Sequence, residues 1–173
     1  PEGVFPKTRP SGWWEQCHCW VEGGWAYRSH EIYKPTGWAV AELARIRAWG
    51  GNFLPSFGPD ARGELPEVAY RRLDELAAWW RHSGESVEGT TAGPWPERCN
   101  VPVTCKGDTW YLHVDWVWDG PVEVKETTRR PQRLTLLRTG ETVEWTATAA
   151  GLAFELPPSR ISSLGEVVKV EWE

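Results

Sequence analysis

Residues 50–63, GGNFLPSFGPDARG, hold four glycines, two prolines and two phenylalanines in fourteen positions, between two segments with helical periodicity. Gly50-Gly51 is a helix stop, because the residue past a helix end often takes a positive φ that only glycine adopts without a Cβ clash. Asn52 to Phe57 is short, apolar and aromatic enough for a buried strand, although Pro55 removes one ladder hydrogen bond. Gly58-Pro59-Asp60 and Arg62-Gly63 follow as successive turns. The pattern is helix, stop, strand, turn-rich loop, helix. Folds of this kind put their sites in the loop at the strand's C-terminal end.

On either side, Thr36 is placed to cap a helix running to about Trp49, with Val40, Leu43, Ala44 and Ile46 inward. Pro66 suits the first turn of a second helix, whose stripe is Ala69, Leu73, Leu76 and Trp80 and whose end is Gly84. Residues 1–35 have no sustained period beyond one strand within Trp14 to Val21, yet they carry Trp13, Trp14, Trp20 and Trp25, an aromatic density that argues against disorder. Gly93-Pro94-Trp95-Pro96 reads as a domain boundary, dividing residues 1–92 from residues 93–173. Beyond it come seven candidate strands: 101–105, 109–117, 122–126, 133–137, 142–145, 152–156 and 166–172. Their spacing predicts a small antiparallel β-sandwich.

Composition removes several functions. The net charge is −5 with scattered basic residues, which disfavours a nucleic-acid partner. No apolar run is long enough for a spanning helix, so no membrane partner is expected. The chain contains 14 Trp and no Met, so it reads as a processed product or a fragment. Cys17, Cys19, Cys99 and Cys105 do not follow a zinc pattern. They read as buried free thiols or as one Cys99–Cys105 disulfide, and no metal or cofactor is predicted. Carboxylates among tryptophans, such as Glu2 and Glu15, suit a sugar pocket, because glycoside hydrolysis uses two carboxyl groups and aromatic rings stack on sugar C–H faces.

Trp14-Glu15-x-Cys17, then Trp25-Ala26-Tyr27, then GGNFLPSFGPDARGELP, then a helix ending in Trp-x(4)-Gly84-Glu85 resembles the C-terminal part of the α-L-fucosidases. The family shows W-E-x-C, W-G-Y and G-G-N-L-L-L-N-x-G-P-x-x-D-G-x-I-P in that order. This sequence departs from it at Ala26, Pro55 and Ser56, which leaves the exact sugar open. The resemblance implies the C-terminal part of an irregular (β/α)8-type barrel followed by a β-sandwich. Asn52 to Phe57 would be the last barrel strand. It also implies a retaining exo-glycosidase acting on terminal α-L-fucosyl linkages of a fucosylated glycan or small fucoside, in a secreted, periplasmic or lysosome-like compartment.

By the same resemblance Glu2, thirteen positions before Glu15 and following a proline, is the candidate acid/base. Glu15 is the second choice or a supporting carboxylate. Trp25 corresponds to the aromatic that lines the pocket near the fucose methyl. The nucleophile and the residues that grip the sugar belong to the missing N-terminal barrel half, so this chain alone is expected to be inactive. Trp118-Asp119-Gly120 imitates the family's nucleophile motif but falls in the sandwich and reads as a turn. His18 and His30 take no catalytic role. The rival reading is a Trp-rich sandwich that binds carbohydrate without chemistry, using Trp110, Trp116, Trp118, Trp145 and Trp172, or else a degenerate scaffold.

Overall fold

A computed structural model describes residues 2–30 and 32–173. Pro1, the proline of the Pro1-Glu2 pair, lies outside the described residues. The first part of the chain runs β1 (Glu15–Cys19), α1 (Thr36–Ala48), β2 (Asn52–Ser56) and α2 (Glu67–Ser83). β1 and β2 pair in parallel, Glu15 opposite Asn52 and Cys19 opposite Ser56. Two parallel strands joined through a helix form the βαβ unit of a barrel wall.

Gly50 takes φ +79° and ends the first helical segment as the sequence predicts. Thr36 does not cap it. Pro35 holds the N-cap with no side-chain bond, and Thr36 is already the first helical residue. Its hydroxyl instead donates to the Glu75 carboxylate of α2, joining the two helices. In α2 the inward tryptophan is Trp79, 1% exposed, and not Trp80, which is 37% exposed. Ala69, Leu76, Trp79 and Ser83 fall at spacings of seven, three and four, so they form one stripe at the helical period. Trp80 sits one residue round and donates its indole N–H to Glu88.

The second part contributes β3 (Thr91–Ala92), β4 (Val103–Lys106), β5 (Thr109–Val114), β6 (Val122–Lys125), β7 (Pro131–Leu136), β8 (Thr146–Thr148), β9 (Gly151–Phe154) and β10 (Glu166–Trp172). One sheet has the order β3-β4-β5-β10-β7 and a second the order β6-β9-β8; all their pairings are antiparallel. Leu112, Val168 and Leu134 of the larger sheet pack with Val124, Leu152 and Phe154 of the smaller one to make the sandwich core. The other face of the larger sheet presents Tyr111 and Val167 to Val40 of α1 and Trp79 of α2. The large sheet is therefore covered on both sides, which is why β10 reads Val167, Val168, Val170 without clean alternation.

Two of the expected strands change for local reasons. β5 stops at Val114, because the Trp118 amide donates to the Asp115 carbonyl at 3.0 Å and closes a turn. Residues 142–145 form no strand of their own; Thr142 makes one bridge to Thr135, and the Val143 amide donates to the Leu134 carbonyl at 2.9 Å. The strand begins after them, at Thr146. The Gly93-Pro96 segment is tied to α1, Gly93 N–H to the Ala48 carbonyl and the Trp49 indole to the Trp95 carbonyl at 2.9 Å. It seats the sandwich on the helices. Cys17, Cys99 and Cys105 are free thiols, so the Cys99–Cys105 disulfide does not form. Burial pushes Cys99 up to about 12 and Cys105 up to about 11, which makes both poor nucleophiles.

Candidate active site at the ends of the parallel strands

The alternation of a strand separates two faces of the β1–β2 pair. His18 and Phe53 point towards α1, where both meet the Trp38 ring edge-on, at 4.9 and 6.2 Å between centroids. Glu15, Cys17, Asn52 and Leu54 occupy the opposite face. Leu54 there is 47% exposed, and Glu15 and Asn52 are exposed as well. In a closed barrel this face is the interior. The strand expected to be buried is therefore half open, because burial of a barrel strand is supplied by strands on the far side.

Glu2 joins the same sheet. It bridges Cys17 in parallel register, and the Gly3 amide donates to the Cys17 carbonyl at 2.9 Å. The chain at Glu2 thus lies beside β1 on the flank away from β2, two residues further along than Glu15, roughly 6.6 Å at strand rise. The Cys17 thiol is pushed up by burial and then by the carboxylates of Glu2 and Glu15.

Parallel strands direct their C-terminal ends towards the loops that enter the following helices. The β1–α1 loop starts with Trp20, fully buried, whose indole donates to the Lys34 carbonyl at 3.1 Å. The Lys34 ammonium returns a bond to the Cys19 carbonyl at 2.8 Å. Val21 pairs with Tyr33, and Trp20 and Tyr33 both lie against the Phe57 ring. This clamp raises an exposed tip bearing Trp25, 47% exposed, and Tyr27, 43% exposed. The tip rests on the β2–α2 loop: a Cβ on Gly58 would lie 2.5 Å from the Tyr27 amide nitrogen, so only glycine lets the two loops touch. Beyond it, Asp60 accepts the Glu64 and Arg62 amides and the Arg62 side chain. Those bonds, the Glu64 amide first, hold its carboxyl below the usual range and fix the turn.

The structure thus brings Trp25 to the C-terminal end of the strands and Glu2 to the strand beside it. Glu15 sits at the opposite, N-terminal end of β1. His18 faces the helix layer, and His30 is on the exposed loop. Tyr27 shares the exposed loop tip with Trp25. The Trp-Ala-Tyr triplet was the available signal. Among the described residues no three His, Cys, Asp or Glu side chains are grouped to hold a metal, and no helix is long and apolar enough to cross a membrane.

The five sandwich tryptophans do not form one exposed platform. Trp110 and Trp172 meet edge-on at 5.0 Å, and with Trp118 and Trp145 they pack against the core. The Trp118 indole donates to the Gly120 carbonyl at 2.9 Å. The strand end and turn expected at Trp118-Asp119-Gly120 fall earlier, the strand ending at Val114 and the backbone turn closing over residues 115–118.

The family model for α-L-fucosidase matches residues 1–85, the part that carries the βαβ unit, the loops and α2. Tissue α-L-fucosidase of Macaca fascicularis is 25% identical over 170 residues, a match covering 90% of this chain and 36% of the relative. The α-L-fucosidase of Dictyostelium discoideum is 33% identical over 95 residues, 52% of this chain and 20% of the relative. The solved α-L-fucosidase isoenzyme 1 from Paenibacillus thiaminolyticus superposes with a TM-score of 0.85 at 26% identity, over 100% of this chain and 44% of that one. The chain spans well under half the length of each. Residues 1–85 match the α-L-fucosidase family model, and the chain as a whole is similar to the C-terminal portion of the α-L-fucosidases, the end of a (β/α)8-type barrel with the β-sandwich attached.

Proposed function

We propose that the chain supplies the acid/base side of a retaining exo-acting α-L-fucosidase, with residues 1–92 completing the barrel and residues 93–173 bracing it. The observation that carries this reading is the parallel bridge from Glu2 to Cys17, which sets a carboxylate on the barrel strand next to the Trp25 loop. Glu2 protonates the leaving oxygen in the first displacement and activates water in the second. The nucleophilic carboxylate comes from the barrel portion outside this chain. Glu15, at the foot of β1, supports the interior electrostatically. Trp25 offers an apolar ring to the methyl of a 6-deoxy sugar.

The reading is tested by expressing the chain with whatever precedes Pro1 in its reading frame and assaying α-L-fucosides of good and poor leaving groups. Glu2→Gln is expected to lower kcat/KM, which reports the first displacement, by about 10²–10⁴-fold on the poor leaving group, and by much less on the 4-nitrophenyl glycoside, whose phenolate departs without protonation. Equal loss on both substrates removes Glu2 from the acid role. No hydrolysis by the intact protein removes the enzyme reading.

A further inference from the structure

The segment that carries Glu2 has few anchors of its own. Glu2, Gly3 and Val4 are all exposed, Val4 by 68%. The bridge from Glu2 to Cys17 is parallel, so an undeviated chain would run on beside His18 and Cys19. It turns back instead. Gly3 takes φ +67°, and a Cβ there would meet nothing within 4 Å, so the glycine is required by its backbone alone. The reversal carries Phe5 towards the other end of β1. Half-buried, Phe5 is the first side chain after Glu2 that the rest of the protein covers.

Phe5 enters a box whose walls come from separate parts of the chain. Its ring centroid lies 4.7 Å from that of Trp49, 6.1 Å from Trp95 and 6.2 Å from Trp14, and the Arg45 guanidinium stands 4.5 Å over it. Trp14 precedes β1, Arg45 is in α1, Trp49 is its C-cap, and Trp95 lies in the segment that leads into the sandwich. The walls hold one another. The Trp14 indole donates to the Trp49 carbonyl at 3.1 Å, the Trp49 indole donates to the Trp95 carbonyl at 2.9 Å, and the Trp49 and Trp95 rings are 5.7 Å apart. Edge-on aromatic pairs and a cation over a ring set an orientation as well as burying area. Three residues of chain span at most about 11 Å, so a ring fixed in the box limits where the Glu2 carboxyl group can go. A general acid has to stand within hydrogen-bond reach of the leaving oxygen, and a misplacement of about 1 Å can cost about 10²-fold.

We propose that Phe5 is a positioning residue for the acid step, its place in the aromatic box anchoring the segment that sets the Glu2 carboxyl group beside β1. The proposal rests on the reading of Glu2 as the acid/base. It is tested on the protein expressed with whatever precedes Pro1 in its reading frame, by kcat/KM for an α-L-fucoside of a poor leaving group and for the 4-nitrophenyl α-L-fucoside. Phe5→Ala is expected to lower the first by about 30-fold or more and the second by less than about threefold, because only the first needs the proton. Phe5→Leu keeps an apolar side chain in the box and is expected to show the same bias at about five- to tenfold. Partial unfolding lowers both substrates alike, so the ratio between them separates positioning from stability. Thermal melts identify the folded variants, and Phe5→Leu decides the matter where Phe5→Ala does not fold. A folded variant that loses equally on both substrates, or on neither, overturns the proposal, while a selective loss in Glu2→Gln leaves the acid reading standing. Equal loss in Glu2→Gln removes the acid reading and the proposal with it.

Discussion

Trp14 occupies the space that a side chain at position 51 would need: a Cβ on Gly51 would stand 2.3 Å from the indole Cε2. The same indole donates to the Trp49 carbonyl at 3.1 Å, and the Asn52 amide donates to the Trp14 carbonyl at 3.0 Å. The second glycine of the helix stop is thus a packing residue, while Gly50 carries the positive φ. Gly51→Ala is expected to cost about 1–3 kcal/mol by overpacking, read as a drop in thermal midpoint. An unchanged midpoint would show that the Trp14 ring can move aside.

The stripe on α2 gives a contrast between neighbours. Trp79→Ala removes a ring that is 1% exposed and wedged between the helices and the large sheet. It should cost about 3–5 kcal/mol in denaturant unfolding. Trp80→Ala should cost less than about 1 kcal/mol, since the ring is partly in water. Reversed values would mean that the helix is rotated by one residue.

Thr36 and Glu75 couple the two helices in a pH-dependent way. The Thr36 hydroxyl, ahead of Arg72, holds the Glu75 carboxyl below its ordinary value. A depressed carboxyl stabilises the fold above its unfolded pKa and loses that contribution as pH falls through the folded value. Thr36→Val is therefore expected to be less stable than the parent at neutral pH. The gap narrows as acid protonates Glu75, and urea midpoints measured from pH 7 to pH 3 report it. A gap independent of pH would rule out the carboxylate as the partner.

His113 works in the opposite direction from a paired histidine. Burial lowers it to about 3 from an ordinary value of 6.5, so the fold holds it neutral. The unfolded chain binds a proton that the folded chain refuses, and stability should fall as pH drops from about 6.5 towards 3. The slope over that window is expected to diminish in His113→Gln. If it does not, another group produces the acid sensitivity.

The open face of β1 and β2 predicts behaviour in solution. Leu54, nearly half exposed on the barrel side, and the outer flank of β2, which pairs with no further strand among the described residues, favour association of the isolated chain. Leu54→Glu should reduce light scattering at high concentration with little loss of thermal stability. Unaltered scattering would place the adhesive surface elsewhere.

Gly50, Pro66 and Gly84 were legible as punctuation, because φ preference and the missing proline N–H act locally. The strands of the sandwich were legible from alternation and turn spacing, apart from β3, which the expected boundary leaves with the first part, and residues 142–145. There the backbone follows β7 through a single bridge, and nothing in four residues reveals that pairing. The motif order located Trp25 and Glu2 in the chain. It did not reveal that Glu2 pairs with Cys17 while Glu15 stays at the far end of β1.

The amino-acid sequence alone determined the likeness to the α-L-fucosidases, the order of the elements and where most of them stop, since these rest on local stereochemistry and on motifs in series. Tertiary structure decided which of Trp79 and Trp80 faces inward, that Thr36 holds Glu75 instead of capping its own helix, and that the large sheet is covered on both faces. It also gathered Trp14, Trp49 and Trp95 around Phe5 in one aromatic box. Each of those outcomes depends on contacts between residues distant in the chain, whose energies no single window of sequence contains. In the opening stretch the division falls between adjacent residues: Gly50 is required by its own backbone, and Gly51 by the ring of Trp14.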